Sequence, residues 1–227
     1  YKEGGSLYNP FRAEYAGVNE QGEALYYVDS ELGEGVTNRP GTNRDATTTN
    51  VNNATKYEQG RILPKVYGGF GTSLSLYGVD VSLMFDYQLG GKIYDSMYAG
   101  LMSNITKAGD AGGAIHKDIL NSWSETNTNS NIPRSQYGDQ YTAGASNRWL
   151  TSASYLNFQS FTVGYTLPKK WLSTLGVSKL RVYASGENLC FWSARKGLDP
   201  RYSYSSSESV SVYSPVRTVM GGLQLTF

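Results

Sequence analysis

The sequence is poor in the residues that enzyme and metal sites most often use. It has one histidine, His116, and one cysteine, Cys190. No disulfide can form within the chain, and no Cys/His cluster can hold zinc. A single isolated histidine also argues against a Ser/His/Asp-type catalytic set. Charge is scarce and nearly balanced, with 17% charged residues and a net charge of +1. No strong field therefore draws nucleic acid or an acidic partner. No run approaches the roughly 18 consecutive apolar residues of a membrane helix. That leaves a β-barrel open, because a barrel strand carries apolar residues only at every second position. The chain opens YKEGG, without an initiator Met or a charged segment leading into an apolar one. The expectation is a piece of a longer polypeptide.

What is present points to strands. The 26 Gly and 19 Tyr, with abundant Ser, Thr, Asn and Val, favour strands joined by long polar loops. A disordered chain would carry fewer aromatics and more charge.

Six stretches read as strands: about 7–18, 64–77, 79–93, 153–167, 179–193 and 214–227. The clearest is VDVSLMFDYQL. Val79, Val81, Leu83, Phe85 and Tyr87 alternate with Asp80, Ser82, Met84, Asp86 and Gln88. That is period two, sustained beyond the usual soluble strand and long enough to cross a bilayer at a tilt. Residues 214–227 repeat the pattern, with Val219, Leu223, Leu225 and Phe227 opposite Thr218, Met220, Gly222, Gln224 and Thr226. In 64–77, Val66, Phe70, Leu74 and Leu76 oppose Gly69, Gly71, Ser73 and Ser75. In 179–193 the alternation breaks at Glu187-Asn188-Leu189, which suits a bulge.

The connections alternate in length. A tight turn at Tyr77-Gly78 and a short link over 168–178 contrast with long loops at about 19–63, 94–152 and 194–213. In an up-and-down antiparallel barrel this puts short turns on one rim and long loops on the other. By parity the C-terminus lies on the short-turn side. The loops are rich in Asn and Thr, and a short helix is expected near Lys117–Ser124.

Three blocks resemble a known family: Leu63–Asp95, Tyr155–Arg201 and Ser214–Phe227. The second is the most specific, running from a strand through LPKKW to a strand ending GENL and then GLDPR. Together they resemble the C-terminal region of the SusC/RagA-like TonB-linked outer-membrane transporters. The resemblance implies an all-β, antiparallel, up-and-down transmembrane barrel of about 22 strands. This chain would supply about the last six, and a plug and about sixteen strands would lie upstream. It implies import of oligosaccharides, other glycans or peptides, a SusD-like surface lipoprotein as lid, and energy from the TonB complex. It implies no enzymatic activity and no cofactor. It also implies an outer-membrane location with a periplasmic C-terminus.

Candidate residues follow, each with a plainer reading beside it. Val79, Val81, Leu83, Phe85 and Tyr87 would face lipid. Asp80 and Asp86 would face the lumen, where Asp86 touches substrate or plug, or pairs with an arginine such as Arg181. Leu223, Leu225 and Phe227 resemble the terminal signal for barrel assembly, or are simply an outward-facing last strand. Tyr87, Tyr94 and Trp192 suit an upper aromatic girdle. Trp171 suits a lower belt or the packing of a turn. Trp123, Tyr137, Tyr141, Trp149, Tyr202 and Tyr204 lie in loops, where flat rings beside Asn, Asp and Arg suit sugars. Loop packing and lid contact are the plainer alternatives. His116 has no carboxylate placed beside it and reads as a loop residue. Two competing classes remain. A soluble carbohydrate-binding β-sandwich would share the aromatics but predicts shorter strands. A barrel enzyme would need the catalytic set that one histidine does not supply.

Overall fold

The computed structural model describes residues 6, 8–32, 41–103, 113–138, 144–172, 176–202 and 215–227. Twelve strands occur among them. They are β1 (Phe11–Ala13), β2 (Tyr15–Val18), β3 (Ala24–Val28), β4 (Ala46–Thr48), β5 (Lys56–Glu58), β6 (Val66–Leu76), β7 (Val79–Leu89), β8 (Lys92–Tyr94), β9 (Leu150–Ser152), β10 (Tyr155–Thr166), β11 (Lys179–Ser193) and β12 (Thr218–Thr226). Two α-helices accompany them, α1 (Ser96–Ser103) and α2 (Lys169–Leu172). The chain divides into two units interleaved in sequence.

One unit comprises Pro64–Gly91, Ser152–Pro200 and Tyr213–Phe227. Its five long strands form one antiparallel sheet in the order β12-β11-β10-β7-β6. Five of the six expected strands are thus found, at close to their expected bounds. The sheet is open, with β6 and β12 as its edges.

Register makes the two faces continuous, because residues paired across strands lie on the same face. One cross-strand row reads Leu76, Val79, Tyr165, Val182, Leu223. The next is Ser75, Asp80, Gly164, Tyr183, Gly222, and the next Leu74, Val81, Val163, Ala184, Gly221. Apolar and polar rows therefore alternate across all five strands. Phe70, Phe85 and Phe158 stack on the apolar face, with centroids 5.1 and 4.6 Å apart.

The register survives an irregularity. Between Phe158 and Ser160 the pairing shifts against both neighbours. β10 inserts Gln159, and β11 answers at the same level between Glu187 and Cys190, where Asn188 has φ of 51°. The β11 bulge was expected from the broken alternation. The β10 bulge was not, since both of its flanks alternate cleanly. One extra residue in β10 stands opposite two in β11, and Phe158 and Cys190 return to the apolar face together.

At one end Tyr77 and Gly78 make the tight turn with φ of 51° and 85°. At the same end α2 follows β10, burying Leu172 and exposing Trp171. Thr226 pairs with Lys179 there, so the C-terminus lies at the short-turn end, as parity requires.

The second unit comprises Tyr1–Leu63, Lys92–Thr151 and Arg201–Val212. It corrects the expectation for 7–18. Those residues do not form a sixth long strand: β1 pairs with β5, and β2 pairs with β3 in a separate sheet. Pro10 precedes β1, Gly17 takes φ of 120°, and the pairing shifts between Tyr15 and Gly17. A straight ladder cannot run through that backbone.

Among the described residues this unit holds two small cores. One is Ala13, Ala24, Tyr26 and Ala54, with Tyr15 and Val51 packed against it. The other is Met102, Ile119 and Trp149, with Tyr98 and Ile132 against it. The long loops are thus folded segments rather than plain connections. The helix expected near Lys117–Ser124 is a 3-10 turn, Lys117–Asn121. His116 caps it, its Nδ1 accepting from the Asp118 backbone N–H, and stands 3.3 Å from the Asp118 carboxylate. It therefore does have an acidic neighbour, supplied by the turn itself. Tyr94 sits in β8 with the Arg12 guanidinium 4.5 Å from its ring centroid, so a cation covers the ring expected in a girdle.

Gly164 lies in β10 between Asp80 on β7 and Arg181 on β11. A Cβ there would stand 2.4 Å from Arg181 Nη2 and 2.6 Å from Asp80 Oδ1. Gly164→Val is therefore expected to cost about 1–3 kcal/mol, as overpacking does. Denaturant unfolding of the full-length protein in detergent measures it, and wild-type stability would contradict this account.

Candidate functional site

The polar face of the five-stranded sheet gathers the charged groups that the sequence placed there. Arg181 Nε donates to Asp80 Oδ1 at 2.9 Å, and Nη2 donates to Oδ2, a two-pronged contact that passes over Gly164. Asp86 is not the partner of Arg181. Its Oδ1 accepts from Asn157 Nδ2 at 2.8 Å. Asn157 is buried on the same face, next in register to Asp86. The pairing of Asp80 with Arg181 depends on a diagonal across β10, which no single strand reveals. Tyr183 lies across Gly222, where a Cβ would approach its ring carbons to 2.5 Å.

The opposite face is apolar and uncovered. Leu74 is 63% exposed and Leu223 68%. Val79, Val163, Val182, Val219 and Leu225 are exposed too, while Val81, Leu83, Phe85 and Tyr87 are half-buried among their neighbours on this face. None of these side chains is sealed in a dry core. A monomeric soluble protein rarely leaves so broad an apolar patch open to water. Phe227 follows β12 and is exposed.

The loop aromatics fall into different settings. Trp123 is half-buried and walls an open cleft with Glu20, Gln21, Glu125, Arg134 and Gln136. Gly22 lies against its indole, where a Cβ would come within 2.3 Å of Cε3. Arg134 fixes this turn, its backbone N–H donating to Gly22 O and its Nη1 to Gln21 O, each at 2.8 Å. The arrangement presents a ring edge beside carboxylates, an amide and a guanidinium. Tyr137 is exposed, one residue beyond Gln136. Trp149 is 2% exposed and donates its Nε1–H to Gly144 O at 2.8 Å. It packs with Met102 and Ile119. Tyr202 ends a short 3-10 turn, Pro200–Tyr202. Tyr141 and Tyr204 lie outside the described residues.

Two carboxylates tie this unit together. Glu14 accepts from Arg44 Nε at 2.9 Å and from Nη2 at 2.8 Å, and Arg44 also lies over the Tyr57 ring. The Arg44 hydrogen bonds hold the Glu14 pKa below its ordinary value. Asp29 is buried and accepts from the backbone N–H groups of Thr42, Asn43 and Glu31, which lower its pKa in the same direction.

No protein-family profile matches the chain. Among curated proteins it is 28% identical over 169 residues to TonB-dependent receptor P3 of Formosa agariphila, covering 70% of this chain and 16% of that protein. It is 26% identical to TonB-dependent receptor P26 of the same organism, covering 74% and 17%. Among solved structures it superposes on the RagAB peptide transporter with a TM-score of 0.72 at 24% identity, over 96% of this chain and 23% of that one. A second structure, the RagAB peptide importer in an open-open state, gives 0.70 at 25% identity, covering 96% and 22%. The chain is thus similar in sequence to TonB-dependent receptors and in fold to the RagAB peptide transporter. It spans about a sixth of the length of the curated relatives it matches. The three blocks that carry the resemblance, Leu63–Asp95, Tyr155–Arg201 and Ser214–Phe227, contain all five strands of the two-faced sheet.

The loop unit is expected to loosen in acid. Both carboxylates have folded pKa values below their ordinary ones, 4.5 for Glu14 and 3.8 for Asp29. Their stabilisation is complete above those values and fades as pH falls through the lowered folded ones. Hydrogen-exchange protection over residues 41–58, corrected for intrinsic rates, should fall between pH 7 and pH 3. Asp29→Asn should flatten the dependence. Equal protection at both pH values in the wild type would argue the reverse.

Proposed function

We propose that this chain is wall and outer loop of an outer-membrane importer. In this reading the five-stranded sheet is part of a closed barrel of about 22 strands. The apolar rows face lipid, and the rows with Asp80 and Asp86 face a lumen or plug. The observation that carries the reading is the continuous apolar face on strands of sufficient length. Strands of 11 residues, as in β6 and β7, reach about 36 Å at ~3.3 Å per residue and cover a hydrocarbon core when tilted by about 45°. Both sheet edges need partners in lipid, because each unpaired backbone group there costs several kcal/mol. The remainder of the polypeptide supplies them. The short-turn end, with Trp171 and Phe227, is periplasmic, and the loops are extracellular. Leu223, Leu225 and Phe227 then present the terminal signal for assembly.

The cargo is an oligosaccharide or other glycan, or a peptide. Peptide transport is the named role of the RagAB structures. A SusD-like lipoprotein lid and TonB-derived energy complete the assembly, the latter through a plug outside this chain. Trp123 in its polar cleft and the loop residues Tyr137, Tyr141, Tyr202 and Tyr204 are the candidate contacts for cargo or lid. The soluble sandwich fits less well, since it would bury Leu74, Val79 and Leu223 against a second sheet.

Two neighbouring substitutions separate these readings. In the full-length protein, Leu83→Arg puts a charge on the lipid face and is expected to cost about 2–4 kcal/mol near the midplane. Ser82→Arg, one residue away on the other face, should be tolerated. The readout is heat-modifiable barrel in the outer-membrane fraction, and equal tolerance at both sites would refute a lipid-facing wall. Deleting Phe227 should lower the amount of assembled barrel. Wild-type levels would remove the assembly role from the terminal residue.

A further inference from the structure

His116 is the one histidine of the chain and stands just before the 3-10 turn Lys117–Asn121. Its Nδ1 accepts the backbone N–H of Asp118 at 3.2 Å and so caps the turn. The same Nδ1 lies 3.3 Å from Oδ2 of the Asp118 carboxylate. One ring nitrogen thus faces two groups of one residue, a donor and an anion. An imidazole nitrogen has a single lone pair. While Nδ1 accepts from the N–H, the ring is neutral and carries its hydrogen on Nε2. A proton on Nδ1 removes that acceptor and puts a donor beside Oδ2 instead.

The surroundings keep both partners within reach. The His116 N–H donates to Leu101 O at 3.1 Å, which ties it to α1. The Tyr98 and His116 rings meet nearly at right angles, with centroids 4.7 Å apart. The Tyr98 hydroxyl donates to the same Asp118 Oδ2 at 2.8 Å, so the carboxylate is held as well. Among the described residues, the charged and titratable groups around the imidazole are Asp118 and Lys117 on its own turn and Tyr98 on α1. Beyond Tyr98 lie Asp95, which accepts its backbone N–H, and Arg148, on which its phenol acts. Lys117 is exposed.

The two ends of the turn depend on different groups. The Asp118 N–H lies at the open start, where a helical turn offers no acceptor of its own. Further along, Ile119 is buried in a core, Asn127 Nδ2 donates to Asn121 O at 3.2 Å, and the Trp123 N–H donates to Ile132 O at 2.8 Å. A change at Nδ1 therefore acts on the start of the turn and not on its far end.

We propose that His116 and Asp118 form a proton-driven switch at the start of this turn. With the ring neutral, His116 caps the Asp118 N–H. With a proton taken from solvent, Nδ1–H pairs with the Asp118 carboxylate, and the N–H is released to water. Imidazoles exchange that proton between about pH 5 and 8. The switch lies wholly in the loop unit and needs no assumption about cargo.

The test is hydrogen exchange on the full-length protein in detergent, at pH 8 and pH 5.5, with fragmentation that isolates single amides and correction for intrinsic rates. Protection of the Asp118 amide should fall about fivefold at pH 5.5, the scale of a lost N-cap. The Trp123 amide should keep its protection. His116→Asn supplies an oxygen cap that takes up no proton in this range, so its Asp118 amide should be equally protected at both pH values. Glu14 and Asp29 do not contribute, since their folded pKa values lie below 4.5 and 3.8. Unchanged protection of Asp118 in the wild type overturns the proposal, whether or not the variant folds. So does a fall shared by Trp123, which marks general loosening. A fall of the same size in His116→Asn marks a cause other than the imidazole and overturns it too.

Discussion

The backbone ladder that joins β6, β7, β10, β11 and β12 is the constraint on which everything else in the sheet rests. Hydrogen-bonded pairing fixes register, and register decides which side chains share a face. A slip of one residue in β10 would carry Val163 and Tyr165 to the side of Asp80 and Arg181. Instead, Leu76, Val79, Tyr165, Val182 and Leu223 form one apolar row, and the row beside it is polar. The bulges in β10 and β11 serve the same end. Against β7, β10 adds one residue and β11 adds two, so pairing resumes with Phe85, Phe158 and Cys190 in one row.

Room on the polar face is made by glycine. The Asp80–Arg181 pair passes over Gly164, and the Tyr183 ring passes over Gly222. Gly71 meets a different limit, since a Cβ there would come within 2.7 Å of the Leu83 carbonyl oxygen. Such close approach of backbones is how glycines let a sheet bend. The apolar face has the opposite economy, with large side chains filling the surface and phenylalanines stacked across three strands. The two faces are thus built for different surroundings.

The loop unit has its own physical logic. It is made of very short strands and turns, so side chains replace ladders as its ties. Asp29 gathers three backbone N–H groups, Glu14 grips Arg44, and His116 caps a 3-10 turn.

Alternation along β7 and β12 was legible from the chain because period-two patterning is a local property of a strand with two different surroundings. The tight Tyr77-Gly78 turn, the long-short order of the connections and the side on which the C-terminus falls followed from the same reading. The resemblance of three blocks added the expectation of a barrel, of which the described residues form one open five-stranded sheet. Other features belonged to the tertiary structure alone. Residues 7–18 carry strand-forming side chains, yet which partner a strand takes depends on distant residues, and here those are β5 and β3. The preference of Arg181 for Asp80 over Asp86, the bulge at Gln159 and the burial of Trp149 are all relations between segments far apart in sequence. Local periodicity determines which face a side chain takes within its strand, and only folding determines what that face meets.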